Sequence, residues 1–321
     1  MQLYEIERIC NDILTKNGLN SEESGRVTNE ILEAELRGKS AHGLAHLPRI
    51  VAFLKENKRG KIIIEKESDC FALVNGNGNL GSIVASFAMK LAITKAKQHG
   101  ISFVGGRTQD MFILAGNPAR IALEEKMIAI VMCNSKARIA PWGGIDPVVG
   151  VNPICMAIPA KQPIVLDMAT SRITVSDINF AKRLGKQIPT ECALDKDGNE
   201  TQSPEEALLG TILPFDTYKG FGLAFMIELL AGPLVGAKGG KTVTGSRGFL
   251  FIVINPKLIV DLKDFERKVS DIVLEVKRSK KKTGITDLHF PGEKSEQRKE
   301  VARLSGIEIE DAILEDVKKL L

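Results

Sequence analysis

Between residues 61 and 168, short apolar runs rich in β-branched side chains recur with glycine and charged breaks between them. No other feature constrains the fold as tightly. The runs at 61–65 (KIIIE), 71–75 (FALVN), 101–105, 127–133, 151–158 and 163–168 read as strands. A long helix near 82–98 ends at Gly100, and another near 118–125 separates two of the strands. Both ends of the chain are helical in pattern. Leu3, Ile6, Ile9, Cys10, Ile13 and Leu14 share one face over 2–17, and Gly18 stops it. A second helix starts near Ser21, with acidic residues in its first turn, and runs to about Arg37; a third occupies about 44–57. A helix near 219–232 precedes a strand at 249–255 (FLFIVIN), and helices near 263–280 and 309–320 close the chain. The fold class is α/β in mixed form, with helical segments at both termini and a sheet-rich middle.

The most apolar stretch, GFGLAFMIELLAGPLVGA at 220–237, contains Glu228, Pro233 and four glycines. That composition argues against a membrane span and for a tightly packed interior helix. The opening residues MQLYEIERICNDILTKNG carry charges through their apolar pattern, unlike a signal peptide. A net charge of +4 lacks the clustered basic excess of a nucleic-acid binder, and KRSKKK at 277–282 reads as a solvated helix end. The five cysteines are odd in number and widely spaced, with no CxxC pair, so reduced thiols in a cytoplasmic protein are expected.

Residues 76–81, GNGNLG, match G-x-G-x-x-G, follow a strand-like run and open a helix. The dinucleotide fingerprint also expects an acidic residue about 20 positions on. Here that region reads ISFVGGRTQ, with no Asp or Glu before Asp110. A glycine-rich strand-to-helix turn is the preferred reading.

Residues 37–50, RGKSAHGLAHLPRI, hold two of the four histidines, His42 and His46. A zinc site would need a further ligand, and no H-E-x-x-H glutamate is present, so no metal is expected. On its own the pair reads as a polar turn.

With the rest of the chain, this stretch resembles the RG..SHG...LPR signature of the type 2 malate/L-lactate dehydrogenase family. That family includes sulfolactate, ureidoglycolate and diketogulonate oxidoreductases. The likeness continues through NSKARIAPWGG (134–144), VNPICMAIP (151–159), VLDMATS (165–171), ILPFDTYKGFGLAFMIELLAG (212–232), FIVINP (251–256) and FPGEKS (290–295). The resemblance implies a non-Rossmann dinucleotide-binding fold and a homodimer, while the charge and composition above argue against nucleic-acid and membrane partners. It also implies hydride transfer between NAD or NADP and a small 2-hydroxy or 2-keto acid. It divides the chain into a helical segment 1–60 packing with helices of 257–321, and a sheet-rich NAD(P)-binding domain, 61–256. Carried over position by position, Ser135, Asp167, Met168, Ala169, Thr170, Ser171, Lys219, Gly292 and Glu293 would line the nucleotide site. Asp167 ends an apolar strand, where a carboxylate can accept from ribose hydroxyls or serve as a cap. Lys219 could meet a phosphate as a point charge.

The reaction needs a proton carrier at the substrate C2 oxygen, a task that suits His42, and a cation for the carboxylate, a task that suits Arg49. A surface salt bridge for Arg49 stays open. The chain then departs from its family. Ala41 stands where the pattern has serine, and His46 where it has an arginine; His46 is kept as a substrate contact. Where a second catalytic histidine would fall in a segment like RNSNHFG, this chain reads RTQDMFI, which places Met111 there. Asp110 is adjacent, but strand neighbours point to opposite faces, so it is no automatic substitute. Lys136 and Arg138 either add charge to the site or lie exposed. A working dehydrogenase is the leading expectation. The alternatives are an altered homologue that binds nucleotide or acid without turnover and, behind it, an assembly protein that binds neither.

Overall fold

A computed structural model describes residues 2–110 and 112–321, so Met111, like Met1, lies outside the described residues. Helices α1 (Leu3–Lys16), α2 (Ser21–Leu36) and α3 (Leu47–Glu56) open the chain. Strands β1 (Ile63–Glu67) and β2 (Phe71–Asn75) precede α4 (Gly81–His99). Next come β3 (Ile101–Thr108), α5 (Gly116–Glu124), β4 (Ile128–Cys133), β5 (Ile154–Ile158) and β6 (Ile164–Met168). A short excursion follows: α6 (Val175–Arg183), β7 (Ala193–Leu194), α7 (Pro204–Leu209) and β8 (Thr211–Ile212). Helix α8 (Tyr218–Ala231) and strand β9 (Arg247–Ile254) return to the sheet, and α9 (Leu262–Arg278), α10 (Glu293–Ser305) and α11 (Asp311–Lys318) end the chain.

Seven strands form one sheet in the order β1-β2-β3-β9-β4-β5-β6. Only the β2–β3 pair, joined over the sheet by α4, is parallel; its other pairings are antiparallel. A Rossmann sheet is mostly parallel, so the expected non-Rossmann α/β fold is found. The late strand β9 lies between β3 and β4 and splits its side chains by parity. Phe249, Phe251 and Val253 join the core under α4 and α5, whereas Leu250 joins Ile227, Ala231 and Met132 under α8.

A second core gathers α1, α2 and α3 with Ile313 and Val317 of α11. Two ion pairs, Arg37–Glu296 at 2.7 Å and Lys299–Glu33, tie α2 to α10. The GNGNLG segment is filled by the protein itself. A Cβ on Gly78 (φ +79°) would stand 2.2 Å from the Lys58 carbonyl, and one on Gly76 would stand 2.7 Å from Val84. Asn79 donates to the Gly76 and Gly60 carbonyls at 2.9 and 2.6 Å. These glycines serve close chain packing.

Two expectations need correction. Among the described residues, Tyr218–Val235 is the stretch long and apolar enough to cross a membrane by composition. Helix α8 is buried on one face only: Ala224, Ile227, Glu228 and Ala231 lie inside, while Phe225, Met226 and Leu229 are exposed. It is therefore a sheet-covering helix with an open apolar face, not an interior one. Helices α6, α7 and α10 went unanticipated. α6 and α7 are short and depend on their caps: Thr174 and Asp177 form a reciprocal capping box, and Ser203 with Pro204 starts α7. α10 has almost no apolar face, with Glu293 as its buried residue.

Candidate active site

The 37–49 segment is shaped by one buried carboxylate. Gly38 (φ +68°) turns the chain out of α2, and two single-turn 3-10 helices, Ser40–His42 and Leu44–His46, lead into α3. Glu35 Oε1 accepts the Leu44 amide at 2.7 Å. A Cβ on Gly43 would stand 2.1 Å from that oxygen, so only glycine fits there. Pro48 falls in the first turn of α3, where its missing N–H costs nothing.

This framework sets the His42 and His46 rings 5.6 Å apart, with their planes tilted by 58°. Both rings are half-buried. Burial, helped by Lys39, holds His42 below its ordinary 6.5 against the upward pull of Asp177 and Asp167. Burial drives His46 further, down to about 3, helped by His42, Arg49, Arg183 and Arg247. His46 Nε2 lies 3.3 Å from Ser176 Oγ at the start of α6. At neutral pH the site therefore presents two uncharged imidazoles, not an imidazolium. Among the described residues, no group of three His, Cys, Asp or Glu side chains is placed to hold a metal ion.

Arg49 Nη2 contacts Asp110 Oδ1 at 3.0 Å, with the guanidinium partly exposed and the carboxylate buried. Strand β3 stops at Thr108, so Asp110 lies beyond it and the alternation of strand faces does not govern its direction. His46, Arg49, Ser82 and Asp110 line a cavity of about 10 Å³, near the space one water needs. Glu30 of α2 faces Ser82 and Asn117, and burial pushes its carboxyl up to about 7.

The residues assigned to the nucleotide lie on segments linked by hydrogen bonds. The Ser135 amide donates to Asn152 Oδ1 at 3.0 Å. Thr170 donates to the Val151 carbonyl through its amide (3.0 Å) and its hydroxyl (2.9 Å), and its own carbonyl accepts the Phe215 amide at 3.1 Å. From Phe215 the chain passes through Asp216 (φ +39°) and Thr217 (φ +56°), two non-glycine residues in the left-handed region, and exposes Lys219 in the first turn of α8. Lys219 pairs with Asp216 at 2.9 Å. Ser171 is half-buried, with its hydroxyl on the Ile173 carbonyl at 2.8 Å; Met168 and Ala169 are half-buried beside it.

Asp167 meets Lys39 Nζ at 2.8 Å. It also fills the space left by Gly116, where a Cβ would be 2.8 Å from its Oδ2. Gly292 (φ +90°) packs against Val165 of β6, and buried Glu293 is held by Lys277 (2.6 Å) and His289 (3.1 Å). Lys136 is exposed, and Arg138, half-buried, donates to the Leu208 carbonyl at 2.6 Å.

Glu228 organises one wall. Its Oε1 accepts from Asn134 Nδ2 (2.9 Å) and the Gly240 amide (3.0 Å), and its Oε2 from Asn152 Nδ2 (2.7 Å) and the Gly150 amide (3.2 Å). In the sequence this glutamate reads only as an interruption of an apolar run. Lys39, Asp177 and Arg247 stand outside the residues that the sequence alone singles out. The T-x-x-D cap could have signalled Asp177, and Lys39 lies inside the stretch already singled out.

The largely antiparallel, helix-flanked sheet thus carries two half-buried histidines, Arg49 paired with Asp110, and a linked set of polar loops. The chain belongs to the malate/L-lactate dehydrogenase family, whose pattern matches residues 1–318. It is 38% identical to a malate/(S)-sulfolactate dehydrogenase of Methanothermus fervidus over 320 residues, covering 96% of this chain and 93% of the relative. It is 27% identical to an NAD(+) ureidoglycolate dehydrogenase of Escherichia coli, over 96% of this chain and 92% of the relative. The solved sulfolactate dehydrogenase of Methanocaldococcus jannaschii superimposes with a TM-score of 0.90 at 34% identity, over all of this chain and 96% of that one.

Proposed function

We propose that the protein is an NAD(P)-dependent oxidoreductase of small 2-hydroxy or 2-keto acids, with His42 as the acid–base group. The observation that carries this reading is the half-buried His42 ring, 5.6 Å from that of His46, which lines a small cavity with Arg49 and Asp110. A neutral imidazole can take the proton from a C2 hydroxyl, and the imidazolium so formed is stabilised by Asp177 and Asp167. The reverse direction returns that proton to the C2 oxygen. A bound nicotinamide would accept or supply the hydride. Arg49 would orient the carboxylate, and the neutral His46 would meet an uncharged polar group of the substrate.

The exposed Lys219 ammonium fits a phosphate, and the Ser135 and 167–171 segments fit sugar and amide groups. Gly292 and Glu293 flank that wall. The relatives support a nicotinamide, since one carries NAD(+) in its name. The choice between NAD and NADP is left to the titration below. We further propose a homodimer, supported by the open apolar face of α8 and by α9, which has no buried residue although Ile272, Leu274 and Val276 are apolar. The division into a helical unit (1–60 with 257–321) and a nucleotide-binding unit (61–256) is proposed in parallel.

A second reading, a homologue that binds without turning over, is favoured by Met111 and by the buried Ala41 in place of the family serine. Fluorescence titration with NADH and NADPH, followed by a panel of 2-keto acids and cyclic imines, separates the two. Binding with turnover supports the enzyme, binding without turnover the second reading, and no binding contradicts both.

A further inference from the structure

The guanidinium of Arg247 lies outside every motif that marks the family, yet it stands at the sheet end where the candidate site is built. Its strand register pairs it with Thr108, the last residue of β3, two positions before Asp110. The next residue, Gly248, exchanges hydrogen bonds with Asn134: Gly248 N donates to Asn134 Oδ1 at 2.7 Å, and Asn134 N donates to Gly248 O at 3.0 Å. The backbone of Arg247 is thereby fixed beside the start of the Ser135 loop. A Cβ on Gly248 would lie 1.6 Å from the Ala231 carbonyl of α8, so Gly248 faces α8. Strand alternation then directs Arg247 to the opposite face, the side of Phe249 and Phe251, against which Phe112 packs.

The side chain is half-buried, and the groups acting on it are Arg49, Cys133 and Asp110; it acts in turn on His46. The carboxylates around it separate it from the other cations nearby. Arg49 is paired with Asp110, and Arg183 with Asp316 at 3.0 Å and the Ala45 carbonyl at 3.0 Å. Arg120, another desolvated guanidinium with an unpaired buried Nε, is faced by three carboxylates, Glu33, Asp167 and Glu296. Among the described residues, the Arg247 side chain has no hydrogen-bond or ion-pair partner, and its one facing carboxylate, Asp110, is already bound to Arg49. Two guanidiniums thus share one carboxylate in a half-buried place, which leaves one positive charge over. A desolvated guanidinium is stable there when an anion completes it, and its planar fork suits a carboxylate held by two parallel bonds.

We propose that Arg247 is the anchor for the substrate carboxylate, a specificity-determining residue that completes with Arg49 a clamp for a small 2-keto or 2-hydroxy acid. This rests on the oxidoreductase reading for the identity of the acid, but the anchor can be tested without turnover. It assigns Arg49 the outer position, bridging the ligand and Asp110, and gives the inner contact to Arg247.

The test is calorimetric titration of oxalate and oxamate into the wild type, Arg247→Gln and Arg247→Lys, each with and without saturating NADH. The expected result is oxalate and oxamate binding by the wild type that weakens about 10- to 100-fold in Arg247→Gln, the loss of a charged hydrogen-bonded pair. Arg247→Lys should fall between, because a point charge replaces the fork but not its geometry. NADH affinity should be equal in all three. Equal acid binding by Arg247→Gln and the wild type would overturn the proposal. So would a wild type that binds neither acid, or a parallel loss of NADH and acid affinity. A wild type that binds the acids through Arg247 but binds neither NADH nor NADPH would leave the anchor standing and sink the oxidoreductase reading.

Discussion

His42 and His46 face each other at 5.6 Å, four residues apart across two single-turn helices, and burial keeps both imidazoles uncharged near neutrality. The pair divides the work. His42, held below its ordinary value by burial, has Asp177 and Asp167 beside it to favour the imidazolium that forms when it takes a proton. His46, held near 3, can only donate or accept a hydrogen bond.

The pH profile follows from His42. For oxidation of a hydroxy acid, kcat/KM should rise with pH and level off, because the base form is needed. The inflection should lie below the ordinary 6.5, since the folded pKa is lowered. Reduction of a keto acid needs the acid form, so its rate should fall as pH rises through the same value. An initial-rate series across pH in both directions checks this. An inflection above 6.5 would contradict it.

Asp110 neutralises one of two neighbouring guanidiniums. Asp110→Ala should leave Arg49 and Arg247 facing each other without it and destabilise the fold by roughly 1–3 kcal/mol, less than a fully buried pair because Arg49 is partly exposed. Small monocarboxylates should then bind more tightly, replacing the lost charge. Chemical denaturation and oxamate titration give the two readouts.

Glu30 makes stability depend on pH. Its folded pKa of about 7 lies above the unfolded 4.5, so its contribution is complete below 4.5 and is lost as pH rises through about 7. Glu30→Gln should remove that slope. Relative to wild type it should gain on the order of 1–3 kcal/mol between pH 5 and pH 8. Denaturant midpoints for both proteins at the two pH values decide it.

Glu228 receives four donors from four places in the chain. Glu228→Gln would point an amide N–H₂ at donors and should cost about 2–4 kcal/mol. Its effect on nucleotide affinity should exceed that of Lys136→Ala, since Lys136 is exposed. Thermal unfolding and nucleotide titration of the two variants test this ordering.

Much of the scaffold was legible because local pattern and tertiary role agree there. FALVN becomes strand Phe71–Asn75, and the helix expected near 82–98 spans Gly81–His99. α6 and α7 escaped notice because they are short and fixed by caps and neighbours more than by an apolar face. α8 misled because its all-round apolarity reads as an interior helix, whereas half of it is open. In the site, the RGKSAHGLAHLPRI stretch announced His42 and His46, but no local rule could announce their partners. Ser176 and Arg247 reach His46 from 130 and about 200 residues away, and Asp110 reaches Arg49 from 61. A charged residue opening an apolar strand, as Arg247 does, reads as a solvated strand end until the sheet register puts it beside Asp110.

The most direct test of the account is a single-turnover experiment with NADH-loaded wild type and His42→Ala, mixed with a 2-keto acid that the wild type reduces and followed by nicotinamide absorbance. The account predicts hydride transfer in the wild type and a rate about 10²- to 10⁴-fold lower in the variant, with nucleotide affinity unchanged. Equal rates in the two proteins, or nucleotide bound without transfer to any 2-keto acid or cyclic imine tested, would contradict it.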